Sequence, residues 1–261
     1  MLIDIAALLL IGVTAGVLAG LLGIGGGLVI VPALTTLLRM QGAPLEVAMP
    51  VAIATSLGTM LMTSASAVWF HDKRNAIDWA CVARLAPTMA LGALMGGLLA
   101  AWLPGRVLAL IFAGLALILG LRMLMTSKID NRHARAFPRY WWLAGPGIGL
   151  VSSLMGIGGG SFNVPYLARN GFPMVQAIAI ASACGWPIAL GGVIGFTLMH
   201  PGETLWPNLW GYFYLPGLFL IGIAGMAAAP LGVRMAHYLP TGPLKRIFGV
   251  LLMLVALRLI W

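Results

Sequence analysis

GLLGIGGGLVIVP, Gly20–Pro32, and SLMGIGGGSFNVP, Ser153–Pro165, place one glycine cluster twice in a strongly apolar chain. A glycine inside a helix costs about 1 kcal/mol relative to alanine, so each cluster predicts a backbone break. Each follows one apolar segment and opens a short one that carries Val-Pro, the pattern of a discontinuous or re-entrant membrane helix. Outward from the clusters, Gly16–Leu34 and Gly149–Leu167 align in constant register. GAP at 42–44 then matches GFP at 171–173, and AIATS at 52–56 matches AIAS at 179–182. Leu103-Pro104, Phe112 and Leu121-Arg122 match Leu239-Pro240, Phe248 and Leu257-Arg258. Matched Gly, Pro and Arg in one order identify an internal duplication: a repeat at 1–126, a basic linker at 127–140 and a second repeat at 141–261.

The chain has 261 residues, 61% of them hydrophobic and only 8% charged, with a mean hydropathy of +1.02; a soluble domain carries about 25% charged residues. Continuous apolar segments lie at roughly 4–22, 28–38, 45–70, 79–102, 106–125, 141–155, 161–169, 174–199, 210–237 and 243–260. Several are long enough to span a bilayer as helices, and none alternates as a barrel strand would. The expected fold is an all-α polytopic membrane protein of two inverted-topology repeats, each with a glycine-broken or re-entrant helix. The opening segment carries Asp4 and no basic n-region, so it reads as a retained first helix and not a cleaved signal.

The net charge of +9 sits at segment ends and in loops. That is the positive-inside pattern, which argues against nucleic acid as a partner. An odd number of crossings per repeat puts Lys73, Arg74, Arg84, the linker, Arg169, Arg234, Lys245 and Arg246 in the cytoplasm, with Arg39, Arg106 and Arg258 outside. This predicts inverted repeats, both termini outside and residence in the cytoplasmic (inner) membrane. The short segments 28–38 and 161–169 can be full crossings or re-entrant arms.

A half-helix that starts after a glycine run presents unpaired N–H donors and the positive end of its dipole, a ready anion site. Gly25, Gly26 and Gly27 in the first repeat and Gly158, Gly159 and Gly160 in the second are therefore candidate substrate-binding positions, expected to converge on one anion near the midplane. The bland alternative is helix packing through small residues, which is the reading taken for Gly92–Gly97. The hydroxyls of Thr55, Ser56 and Ser182 can contact an anion or bond back to their own helix. Ser161 and Asn163 follow the second glycine run where the first repeat has Leu28 and Ile30, and buried Asn needs a partner.

No carboxylate falls deep in a span, and His71, His133, His200 and His237 sit at segment ends as expected interfacial residues. Cys81 and Cys184 are far apart and read as packing residues. The 15 methionines lack the spacing of a copper path. No metal site, cofactor or catalytic residue is expected, and no nucleophile–base set argues for an enzyme. Most tryptophans lie at segment edges as an aromatic belt, while Trp186 is placed to shape a cavity near Ser182.

The paired GIGGG…VP motifs, AIATS, NAIDW at 75–79 and LP…RIFGVLLMLVALRLI at the end resemble the sulfite exporter TauE/SafE family of membrane permeases. The resemblance spans nearly the whole chain. It implies a permease that moves sulfur-containing anions, such as sulfite or an organosulfonate, across the cytoplasmic membrane. Ala181-Ser182 departs from the family pattern, which has Thr-Ser there. The expected partners are a small anionic substrate and the lipid bilayer, with a homodimer left open. Export by alternating access leads; an anion-selective channel, or uptake of thiosulfate or a small carboxylate, is the alternative.

Overall fold

The computed structural model of the chain describes residues 2–23, 25–125, 138, 140–199, 206–238, 249–250, 252–254 and 256–257. The helices of the first half are α1 (Leu2–Leu22), α2 (Gly27–Met40), α3 (Leu45–Asp72), α4 (Trp79–Trp102) and α5 (Gly105–Met125). Those of the second are α6 (Trp141–Leu154), α7 (Gly160–Arg169), α8 (Met174–Leu198) and α9 (Leu215–Tyr238), with a short hairpin, β1 (Leu209–Trp210) and β2 (Phe213–Tyr214), before α9. Among the described residues, six helices are long and apolar enough to cross a bilayer: α1, α3, α4, α5, α8 and α9. The chain is an all-α polytopic membrane protein. The expected segments match these helices to within a few residues, except that 210–237 begins as the hairpin and turns helical only at Leu215. The expected segment 243–260 lies largely outside the described residues; those seen at 249–257 are helical.

Local chemistry sets the helix ends. Asp78 caps α4 by accepting the Cys81 N–H at 3.0 Å, an N-cap bond of the kind that offsets about 1 kcal/mol of orphaned amide. At the other end of α4, the Glu46 carboxylate accepts the Gly105 N–H at the start of α5, where the helix dipole favours negative charge. Lys73 stacks over the Trp69 ring at 3.6 Å from its centroid, and the Trp79 indole N–H donates to Asp72 at 2.7 Å. These contacts anchor the α3–α4 turn, on the face where the linker joins α5 to α6.

Packing directions follow from the residues that face each other. Along α1, Gly12, Gly16 and Gly20 meet Ile221, Gly225 and Ala229, so α1 and α9 run parallel. Along α4, Gly92 and Gly96 meet Pro146 and Leu150 of α6, again parallel, and Gly97 meets Gly192 of α8. Absent side chains let the backbones approach within contact distance, the usual use of small residues between membrane helices. Gly92–Gly97 is thus the packing surface its spacing suggests. Each half therefore lends its first helix to the other half's fourth: α1 lies on α9 and α6 on α4.

Both glycine runs reverse the chain. Gln41, just past α2, lies 3.4 Å from Asp4 near the start of α1, and Gly26 lies against Ala15, so α2 folds back along α1. In the second half, Gly159 faces Ile188 and Asn163 faces Cys184, so α7 descends against the direction of α8. At about 1.5 Å per residue α6 and α7 are about 21 and 15 Å long, short of a hydrocarbon core of about 30 Å. Neither is long enough by itself to cross that core.

One expected surface residue is placed differently. His71, read as interfacial, is fully buried at the linker end of α3. The turn that follows closes around this helix end, with the Arg74 and Ala76 N–H groups both returning to the His71 carbonyl.

Candidate functional site

The two glycine loops touch each other. A Cβ on Gly25 would stand 2.8 Å from the Gly158 Cα and 2.5 Å from the Met60 sulfur, and one on Gly27 would run into the Gly156 carbonyl. Ser56 donates to that same Gly156 carbonyl at 2.8 Å. Ser56 and Met60 lie near the middle of the 28-residue helix α3. The loops therefore meet at mid-length of the longest span, buried between α3 and α8.

Sequence explains the local backbone. Gly23, Gly25 and Gly26 have φ of 68°, 74° and 76°, a left-handed region that costs other residues roughly 1–2 kcal/mol. Gly26 is the N-cap of α2, and its carbonyl accepts from Val29 and Ile30 at 3.0 and 3.1 Å. The amides of Gly27 and Leu28 then have no acceptor within their own helix. At the second break, Gly159 caps α7 and its carbonyl accepts from Phe162 and Asn163 at 3.1 and 2.6 Å. Gly160 and Ser161 are the corresponding first-turn amides.

Side chains distinguish the two breaks. Ser161 and Asn163 are buried on α7, and the Ser161 hydroxyl and the Asn163 Oδ1 have no hydrogen-bond partner among the described residues. The Asn163 amide nitrogen reaches only the Met89 sulfur, at 4.0 Å, and the Cys184 thiol. Ser182 on α8 is 4% exposed, unpartnered, and 3.4 Å from the Cβ position of Gly23. Ser152 and Ser153, in the last turn of α6, are likewise buried and unpartnered. An unpaired buried hydroxyl costs about 1–3 kcal/mol, so each of these asks for a partner with acceptor atoms.

A small hollow opens beside this contact, lined by Ala19, Gly23, Gly25, Ser64, Ala67, Ser182 and Gly185, with about 200 Å³ of empty space, part of it open to the outside. Its enclosed part has room for about one water molecule. Ser182, Gly23 and Gly25 thus share one small space.

The structure brings Gly25, Gly27, Ser56, Gly158 and Ser182 to the junction of the loops, with Gly26, Gly159, Gly160, Ser161 and Asn163 in the two caps flanking it. It turns Thr55 elsewhere: its hydroxyl oxygen accepts the Tyr214 N–H at 2.9 Å, toward the β-hairpin. Trp186, expected to shape the cavity, stands 42% exposed on the outer face of α8, and its neighbour Gly185 lines the hollow instead. Ser64, Ser152 and Ser153 were not legible as site residues. The Ser-Ser pair before the second glycine run, where the first half has Ala19-Gly20, was the available signal. Cys81 and Cys184 are both buried and free.

The sulfite exporter TauE/SafE family model matches residues 8–259. A "Probable membrane transporter protein" of Haemophilus influenzae is 36% identical over 253 residues, covering 96% of each chain. A Methanocaldococcus jannaschii protein with the same description is 30% identical, over 86% of this chain and 81% of its own length. A Bacillus subtilis relative, again described as a membrane transporter, is 26% identical over 97% of this chain and 96% of its own. No solved structure matches the chain. A duplicated glycine break at mid-span, buried in a multi-helix membrane body, and a family match over nearly the full length lead to one conclusion: this chain belongs to the sulfite exporter TauE/SafE family of membrane transporters.

Proposed function

We propose that the chain is a permease of the cytoplasmic membrane for small sulfur oxyanions, sulfite or an organosulfonate, held where the two glycine loops meet. The observation that carries this reading is the contact of Gly25 and Gly27 with Gly156 and Gly158 beside a hollow that holds the unpartnered Ser182 hydroxyl. Helix-start amides and neutral hydroxyls offer donors to an anion without a lysine or arginine buried in lipid, where an unpaired cation is costly. The family description adds the sulfur chemistry.

The repeats 1–126 and 141–261 are read as inverted. In support, α1, α3 and α9 run toward the linker face, while α4, α6 and α8 run away from it, so each repeat's helices oppose their counterparts in the other. Lys73, Arg74, Arg84, Arg122, Arg169 and Arg234 belong to the linker face, with Arg39 and Arg106 on the other. By the positive-inside rule the linker face is cytoplasmic. With that polarity a negative-inside potential drives anions outward by about 2.3 kcal/mol per charge per 100 mV, and export needs no carboxylate relay.

Purified protein in proteoliposomes with imposed potentials tests the reading. Sulfite or sulfonate flux that saturates, shows counterflow and rises with the outward-driving potential is expected. Flux that ignores voltage and follows a pH gradient would overturn voltage-driven export, and absence of flux for every sulfur oxyanion would overturn the substrate class.

A further inference from the structure

The connection between α3 and α4 is the tight turn 73–78, whereas its counterpart between α8 and α9 spans 199–214 and contains the hairpin. Leu209 pairs with Tyr214 and Trp210 with Phe213, around Gly211 at φ 60°. An isolated two-stranded hairpin is marginal in water, so its position is set by what it docks on. The Thr55 hydroxyl oxygen accepts the Tyr214 N–H at 2.9 Å. The Tyr212 O–H donates to the Ala101 carbonyl at 3.0 Å, at the end of α4, and its ring stands edge-on to Phe196 of α8 at 5.4 Å. Phe213 is 4% exposed and lies 3.7 Å from the Cβ position of Gly58.

Helix α3 orders these contacts along one axis. Thr55 and Gly58 hold the hairpin, Ser56 and Met60 hold the glycine loops, and Ser64 and Ala67 line the hollow. The hairpin thus seats on the side of the glycine loops opposite the linker, and the hollow lies on the linker side. We propose that the hairpin 209–214 is the outer gate of the transport path, latched to α3 through Thr55, and that the structure is the outward-closed state. This rests on the permease reading above. Two hydrogen bonds and a few ring contacts make a latch that can release without unfolding any span, which is what alternating access demands of a gate.

The latch places Thr55 and Tyr214 close enough to bridge, so the test is a Thr55→Cys/Tyr214→Cys pair with Cys81 and Cys184 replaced by alanine. Flux of an organosulfonate, which unlike sulfite does not cleave a disulfide, is measured in proteoliposomes for the unmodified chain, then for the pair reduced and oxidised. The expected result is that oxidation lowers flux at least tenfold and a reductant restores it. Equal flux in both states, with the bridge verified, overturns the gate and leaves the permease intact; no organosulfonate flux by the unmodified chain overturns both. Should the pair fail to fold, Thr55→Val carries the same question. It should raise several-fold the labelling of a Ser182→Cys reporter by a membrane-impermeant thiol reagent applied from the hairpin face, and an unchanged labelling rate overturns the latch.

Discussion

Gly26 and Gly159 occupy the same place in the duplicated motif, yet the chain uses them differently. Gly26 has φ 76° and abuts the Ala15 backbone, whereas Gly159 has φ −45° and faces only the tip of Ile188 at 2.5 Å and two more distant side chains. Three positions further, Val29 and Ile30 continue an apolar helix, while Phe162 and Asn163 introduce an amide. In the first half the buried hydroxyls are committed: Ser56 to Gly156, Thr59 to Ser56, Ser64 to Met60, Thr55 to Tyr214. In the second half Ser152, Ser153, Ser161 and Ser182 have no such partner among the described residues. The difference teaches that two loops alike in sequence can be used differently: the first is packed as a wall, and the second half carries the buried hydroxyls without partners among the described residues.

The comparison breaks most visibly at the paired glycines. Gly26→Val forces a β-branched residue into the left-handed region against the backbone of α1. Strain and overpacking together should cost about 2–5 kcal/mol, read as a large fall in thermal midpoint and in yield from detergent. A Gly26→Val protein of unchanged stability would mean that the first loop is not the packed wall described here.

Asn163→Leu should do the opposite. Loss of a hydrogen bond to a charged ligand is worth about 1.5–3 kcal/mol, so sulfite affinity by calorimetry should fall about 10- to 100-fold. Thermal stability should hold or rise, because the orphaned Oδ1 disappears with its partner-seeking amide. Unaltered affinity would remove Asn163 from the site.

Ser56→Ala sharpens the contact between halves. It removes the Ser56–Gly156 hydrogen bond and should destabilise by about 1 kcal/mol, seen as a modest shift in midpoint with affinity nearly intact. The smallest effect belongs to Gly159→Ala. Its backbone conformation suits any residue, and the new methyl meets a side-chain end that can move. Reduced freedom of the unfolded chain favours alanine by about 0.4–1 kcal/mol, so stability should stay within about 1 kcal/mol of the parent. A drop as large as that of Gly26→Val would make the two loops equivalent after all.

Most of the helices were legible because an apolar run long enough to span lipid has few alternatives to a helix. The Gly92–Gly97 stripe was readable as a packing surface. The reversal at both glycine runs was readable only as a break, since a glycine cluster permits either a re-entrant turn or a bent crossing. Gln41 against Asp4 decides it for the first run. The hairpin was hidden in the apolar stretch at 210–237, where Trp, Tyr and Phe serve an interfacial helix and a strand equally well. Thr55 and Ser56 were indistinguishable as neighbouring hydroxyls. One helical step of about 100° sends one to the hairpin and the other to the second glycine loop.

Composition, the motif and the run lengths by themselves determined a helical membrane protein that carries one glycine motif twice, at Gly23–Gly27 and Gly156–Gly160. Those properties are local: hydrophobic length and glycine's backbone freedom act within a few residues of where they are written. Which hydroxyls are left without partners, which face of α3 meets which loop, and where the hairpin seats were decided only by tertiary structure. They depend on helices from opposite halves lying side by side, and no local spacing encodes that distance.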